Sequence, residues 1–339
     1  MPNKPKLPNP IWTDALTICE RLQAGNISSE ELMKNVYERI NHINPKVNAI
    51  VNLLPKKEAL DLARQADKVP LAKRGPLHGL PMAMKDSVAV KGFPTTLGFQ
   101  PFAERVETRD DKLAERLRNA GAIFIGHTNM PEFGLGSNTF NSVFGTTRNP
   151  YDLNKTAGGS SGGAAVALAA EMLPLADGSD MGGSLRNPAS FCNVVGFRPS
   201  IGRTPKNLGS AWYGRLVTTG PMARTVKDTA FLMSIMAGSD ITDPLNLFDS
   251  NEDFLEALTP RQIDKNNPLK IAVSPCLGEL PIDKRVLDII NSSGDIFKNL
   301  GAEISYVDPP LEGAMEAFHI QRAVGLRGLG EMLDQSIDN

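Results

Sequence analysis

Apolar and polar positions along this chain change period several times. Leu16, Cys19 and Leu22 recur at helical spacing until Gly25 ends the run. Ser28 and Glu31 then form a capping-box pair. Leu32, Val36, Ile40 and Ile43 keep a helical face that Pro45 is expected to close. A more polar helix is predicted over residues 57–68. The middle of the chain turns to short apolar runs at 80–85 and 122–125, separated by a charged helix over 110–120 that Gly121 stops. A helix of small residues is expected over 164–170. Further on, 269–273, 284–300 and 303–307 read as strand, helix, strand. Alternation of this kind predicts an α/β fold, a mixed sheet covered by helices on both faces. Four prolines in the first ten residues predict an extended arm over 1–10, followed by a single domain over 11–339. The polar stretch 240–267 reads as a connecting excursion.

Composition narrows the class. The 339 residues are 41% hydrophobic and 22% charged, which supports a large core and excludes a disordered or fibrous chain. Lys plus Arg number 36 and Asp plus Glu 38, for a net charge of −2. That balance argues against a nucleic-acid partner. Cys19, Cys192 and Cys276 are odd in number and widely separated, so neither a disulfide framework nor a zinc site is expected, and a reducing compartment fits. The N-terminus has no apolar signal region, and no uncharged apolar run reaches about 18 residues. A soluble, cytoplasmic setting without a membrane partner is the expectation.

The chemistry concentrates in two glycine–serine blocks. The first reads Thr156-Ala157-Gly158-Gly159-Ser160-Ser161-Gly162-Gly163, the second Asp177-Gly178-Ser179-Asp180-Met181-Gly182-Gly183-Ser184-Leu185-Arg186. Glycines allow close backbone approach, and successive free N–H groups form an anion-binding concavity. Four readings compete. A flexible Gly/Ser loop conflicts with the helix pattern that follows at once. A phosphate loop lacks its lysine. A nucleophile elbow is formally satisfied by Gly158-Gly159-Ser160-Ser161-Gly162, but of the four histidines only His319 lies downstream. His42, His78 and His127 all precede the serines. The fourth reading uses a lysine as base, which requires an amine kept neutral by burial. Lys85 ends the apolar run Leu80 to Met84, where a charged residue needs a function or a partner. Its bland alternative is a strand-end lysine paired with Asp86.

Gly79-Leu80-Pro81-Met82-Ala83-Met84-Lys85-Asp86, then Gly126-His127-Thr128-Asn129-Met130-Pro131-Glu132-Phe133, then the two blocks, resemble the amidase signature family. That family includes fatty acid amide hydrolase, bacterial peptide amidases, malonamidase and the A-type subunit of glutamyl-tRNA amidotransferase. The resemblance runs roughly from residue 11 to residue 238 and is densest between Gly79 and Arg203. It implies the amidase signature fold and an amidase that needs no cofactor or metal and acts on a small-molecule amide. Matched by motif, Ser184 is the nucleophile, Ser160 the bridging serine entered through a cis peptide bond from Gly159, and Lys85 the base. The backbone amides of Met181, Gly182, Gly183 and Ser184 are the implied oxyanion hole. Met181 stands where relatives often carry Thr or Ile. Gly134 is the implied substrate-binding position, and Ser161, Asp180 and Arg186 are implied supports. Cys192 reads as a small buried hydrophobe.

Family chains run well past this length, so the signature fold is expected to be incomplete at its C-terminus. A homodimer or a missing C-terminal partner segment is a further expectation, with the isolated chain weakly active or aggregation-prone. A non-catalytic truncated relative and the amidotransferase A-type subunit stand as alternatives.

Overall fold

The computed structural model describes residues 13–206, 216–247, 254–260, 267–278 and 280–337. The expected arm over 1–10 lies outside the described residues, as do parts of the 240–267 excursion. The chain forms two compact units, Met1–Leu258 and Thr259–Asn339.

The first unit begins with helices α1 (Ala15–Gln23) and α2 (Ser29–Val47), strand β1 (Ile50–Val51) and helix α3 (Lys56–Asp67). Ser28 Oγ accepts the Glu31 N–H at 3.0 Å, as the capping box requires. Pro45 does not close α2. It sits in the last turn, and the helix runs to Val47 before Asn48 adopts the left-handed conformation. A proline near a helix end removes only one hydrogen bond, and the buried apolar face of α2 outweighs that loss.

Next come β2 (Pro81–Lys85), α4 (Lys112–Asn119), β3 (Ile123–Thr128), the short pair β4 (Phe140–Asn141) and β5 (Gly145–Thr146), and α5 (Gly162–Ala169). The unit continues with β6 (Leu175–Asp180), α6 (Arg186–Cys192), β7 (Val195–Gly196), β8 (Thr218–Ala223) and α7 (Val226–Met236). One sheet is mixed, in the order β1-β3-β2, with β2 parallel and β1 antiparallel to β3. A second is antiparallel, in the order β6-β8-β7. Strand β2 lies beside β6. A register shift between Met82 and Ala83 brings Lys85, the last residue of β2, opposite Thr128.

Helix α5 is the centre of the core. Gly162 to Leu168 are all buried, so the helix is apolar all round and made of small residues. Small size is a requirement here. A Cβ on Gly163 would stand 2.3 Å from the Asn129 nitrogen and 2.6 Å from the Ala49 oxygen. Backbone cannot yield as a side chain can, so β1, β3 and α5 meet at van der Waals distance through this glycine.

In the second unit, β9 (Lys270–Val273) and β10 (Glu303–Tyr306) pair in parallel, joined by α8 (Lys284–Asn299) and followed by α9 (Ala314–Ile337). This is the strand–helix–strand unit that the periodicity predicts. No helix among the described residues is long and apolar enough to cross a membrane.

The close approach at α5 makes a direct prediction. Gly163→Ala should lower stability by about 1–3 kcal/mol, the usual cost of overpacking. Gly325→Ala, in open space on α9, should be neutral or mildly stabilising. Urea denaturation of both variants checks the pair; equal midpoints would contradict the packing account.

Candidate active site

Lys85 is 1% exposed at the end of β2. Its Nζ lies 2.7 Å from Ser160 Oγ, 3.1 Å from Ser161 Oγ and 2.9 Å from Ser179 Oγ. The alternative, a strand-end lysine paired with Asp86, is not what forms. Asp86 instead accepts the Thr96 N–H at 3.1 Å and the Gly98 N–H at 3.3 Å, anchoring the neighbouring loop. Burial brings the Lys85 amine down to about 8, against the opposing pull of Asp177 and Asp180.

Three segments build this cage. Strand β2 supplies the lysine. The loop entering α5 supplies Ser160 and Ser161, and the Gly159–Ser160 peptide bond is cis. Strand β6 supplies Ser179. The same strand fixes the lysine's backbone, because Asp177 Oδ1 accepts the Lys85 N–H at 2.9 Å. Burial pushes the Asp177 carboxyl up to about 6.

Ser184 follows β6 in the turn before α6, and its carbonyl accepts the Ser161 N–H at 3.2 Å. Ser184, Ser160 and Lys85 line one cavity of about 320 Å³, and Gly134 lines it too. Gly134 has φ +70, and a Cβ placed there would lie 3.6 Å from Ser160 Oγ. Among the described residues no hydrogen bond joins the Ser184 and Ser160 hydroxyls.

The turn around Ser184 is held by one carboxylate. Asp180 accepts the N–H of Gly183 at 2.7 Å and of Leu185 at 3.2 Å. Arg186 donates to it from Nε and Nη2, both at 3.0 Å, and Arg198 from Nη1 at 3.2 Å. Burial alone would raise this acid; the Arg186 guanidinium and the two amides prevail and hold it at about 2. Asp180 thus ties together Gly183 and Leu185, the residues on either side of Ser184, and Arg186.

The Gly183 amide differs from expectation. It donates to Asp180, whereas the amides of Met181, Gly182 and Ser184 make no hydrogen bond among the described residues. Gly183 has φ +120, and a Cβ there would strike the Asn187 side chain at 2.9 Å. Its glycine is thus demanded by the turn itself.

Sequence reasoning did not single out Ser179, Asp177 or Arg198. Ser179 stands two residues after Asp177 on β6, the period that puts both on one face of a strand. That signal was available only once β6 was known to be a strand. Cys192 is buried, donates to the Ala157 carbonyl at 3.5 Å, and has its thiol pushed up to about 12 by burial. It is inert packing. His127 is fully buried, and burial lowers it to about 4. It bonds Val88 through Nε2 rather than any serine of the cage.

Asp180 yields a pH prediction. Its folded value of about 2 lies below the ordinary 3.8. Its contribution to stability is therefore complete above the ordinary value and is lost as pH falls through the folded one. The stability gap between wild type and Asp180→Asn, read by urea denaturation, should be wide near neutrality and narrow between about pH 4 and pH 2. A gap independent of pH would contradict this.

Known proteins resemble the chain along most of its length. It is 38% identical over 301 residues to an acylamidase of Rhodococcus erythropolis, covering 88% of this chain and 62% of that protein. It is 37% identical over 297 residues to the A-type subunit of a glutamyl-tRNA(Gln) amidotransferase from a Picosynechococcus species, covering 87% of this chain and 61% of that one. Among solved structures, a bacterial aryl acylamidase of the amidase signature enzymes superposes with a TM-score of 0.87 at 31% identity, covering 96% of this chain and 67% of that chain. A peptide amidase from Stenotrophomonas maltophilia gives a TM-score of 0.80 at 30% identity, covering 91% and 65%. The chain thus spans about three fifths of the length of these curated relatives. The Amidase family model matches residues 31–325, and the chain belongs to this family, that of the amidase signature enzymes.

Proposed function

We propose that this protein hydrolyses a carboxamide to a carboxylic acid and ammonia or an amine, through an acyl-enzyme on Ser184. The observation that carries the reading is the buried Lys85 amine, 2.7 Å from Ser160 in a cavity that Ser184 also lines. Serine is a weak nucleophile until a base takes its proton. Lys85 is that base in its neutral form, and Ser160 is the bridge.

The reaction has two halves, acylation and deacylation. Ser184 Oγ forms a bond to the amide carbon; its proton passes to Ser160, and the Ser160 proton passes to Lys85. The oxyanion that develops is met by the amides of Met181, Gly182 and Ser184, which have no other acceptor among the described residues. Loss of one such donor commonly costs about 2.7–4 kcal/mol. The C–N bond then breaks as Lys85 returns the proton through Ser160 to the departing nitrogen. Water repeats the sequence on the acyl-enzyme and releases the acid. No step calls for a cofactor. Three unpaired cysteines support a cytoplasmic setting.

The likeness to the amidotransferase relatives supports a second reading, in which the same machinery releases ammonia from glutamine for a partner protein. Ammonia from glutamine only after the other components are added would favour it.

The test is an amide panel assayed by ammonia release. Ser184→Ala and Lys85→Met should each lower turnover by at least about a thousandfold. Labelling by a fluorophosphonate probe should vanish in Ser184→Ala and persist in His319→Ala. Full labelling of Ser184→Ala would overturn the proposal; a non-catalytic binder would show no labelling at all.

A further inference from the structure

The catalytic cavity has two lysines that the relay does not use, Lys112 and Lys206. Lys206 follows β7, and it lines the same space as Ser184 and Lys85. Its backbone is fixed by a buried carboxylate: Asp243, 3% exposed, accepts the Lys206 N–H at 3.0 Å. Its side chain is half-buried and donates to the carbonyl of Val217, another cavity residue. Among the described residues its amine stands in no ion pair.

The other charged groups of the cavity differ. Lys85 sits in the serine cage. Lys112 is paired with Asp240 at 2.6 Å. Asp111, the carboxylate on the wall, accepts the Ala89 N–H at 2.9 Å. Lys206 thus lies on the wall outside the serine cage, and its one side-chain hydrogen bond among the described residues goes to a neutral carbonyl. Burial lowers its amine to about 8; Asp243 attracts the charge from the protein side and Arg198 repels it. An ammonium carries three donors, and a carbonyl takes only one. Met130, Phe133 and Leu135 add apolar side chains to the lining.

Resting on the amidase reading, we propose that Lys206 is the anion-recognition residue of this cavity and selects small amides that carry a carboxylate remote from the scissile bond. Substrate binding places that carboxylate on the free N–H groups of Lys206. The apolar wall takes the connecting methylenes. A cavity near 320 Å³ restricts the class to small molecules.

Two matched pairs test this. Glutaric acid monoamide against pentanamide carries the carboxylate on the acyl side. N-acetyl-β-alanine against N-propylacetamide carries it on the amine side. Wild type should prefer the acidic member of at least one pair. Lys206→Met should cut that preference in kcat/KM by tenfold or more, mainly through KM, as loss of a charged hydrogen bond does. Lys206→Arg should keep most of it. No preference in either pair, or equal losses on both members, would overturn the proposal. If none of the amides is hydrolysed, the amidase reading fails on its own, and calorimetric titration of glutarate decides the anion site. Binding to wild type weakened at least tenfold in Lys206→Met sustains it. Absent or unchanged binding overturns it.

Discussion

A buried amine must be hydrogen-bonded in whichever charge state it holds. Lys85 meets that condition through three hydroxyls, from Ser160, Ser161 and Ser179, all within 3.1 Å. As an ammonium it has three donors for three oxygens. As a neutral amine it keeps two donors and offers a lone pair to one hydroxyl, which can rotate to donate. The cage therefore accepts both states, and a base of about 8 can sit away from water. At neutral pH roughly a tenth of it is uncharged and ready to take a proton. The cage exists because β2, β6 and the entry to α5 meet at one point, so the tight packing at Gly163 and the Asp177 bond to the Lys85 backbone serve the proposed chemistry directly.

Two acids on one strand divide the electrostatics. Asp177 is buried with a backbone N–H on one oxygen and no partner on the other among the described residues, and it is raised to about 6. Asp180 collects two amides and two guanidinium groups and stays at about 2. Asp180 shapes the turn that presents Ser184 and its amides. Both draw the lysine upward while burial draws it downward, and the balance leaves an amine that changes charge close to physiological pH. The same burial acts on Lys206, which has a carbonyl where Lys85 has hydroxyls.

The helices with one apolar stripe, α1 to α4, were legible because their periodicity is complete within each segment. Strand β6 was not: Leu175–Asp180 contains Gly, Ser and two Asp, residues that disfavour strands. It is a strand because its polar groups find partners that only the tertiary structure supplies. Lys85, Ser160 and Ser184 could be named through the order of their motifs. Ser179 and Arg198 could not, since their contacts come from distant segments. The Gly183 amide was expected at the oxyanion and is committed to Asp180 instead, a choice made by the turn's geometry.

The most direct test of a neutral Lys85 acting through Ser160 is the pH dependence of Ser184 phosphonylation under single-turnover conditions. Protonation removes the base, so the rate constant should climb about tenfold per pH unit from pH 5 and level off near the lysine's value of about 8. A rate that stays flat from pH 5 to about pH 9 would contradict a lysine base.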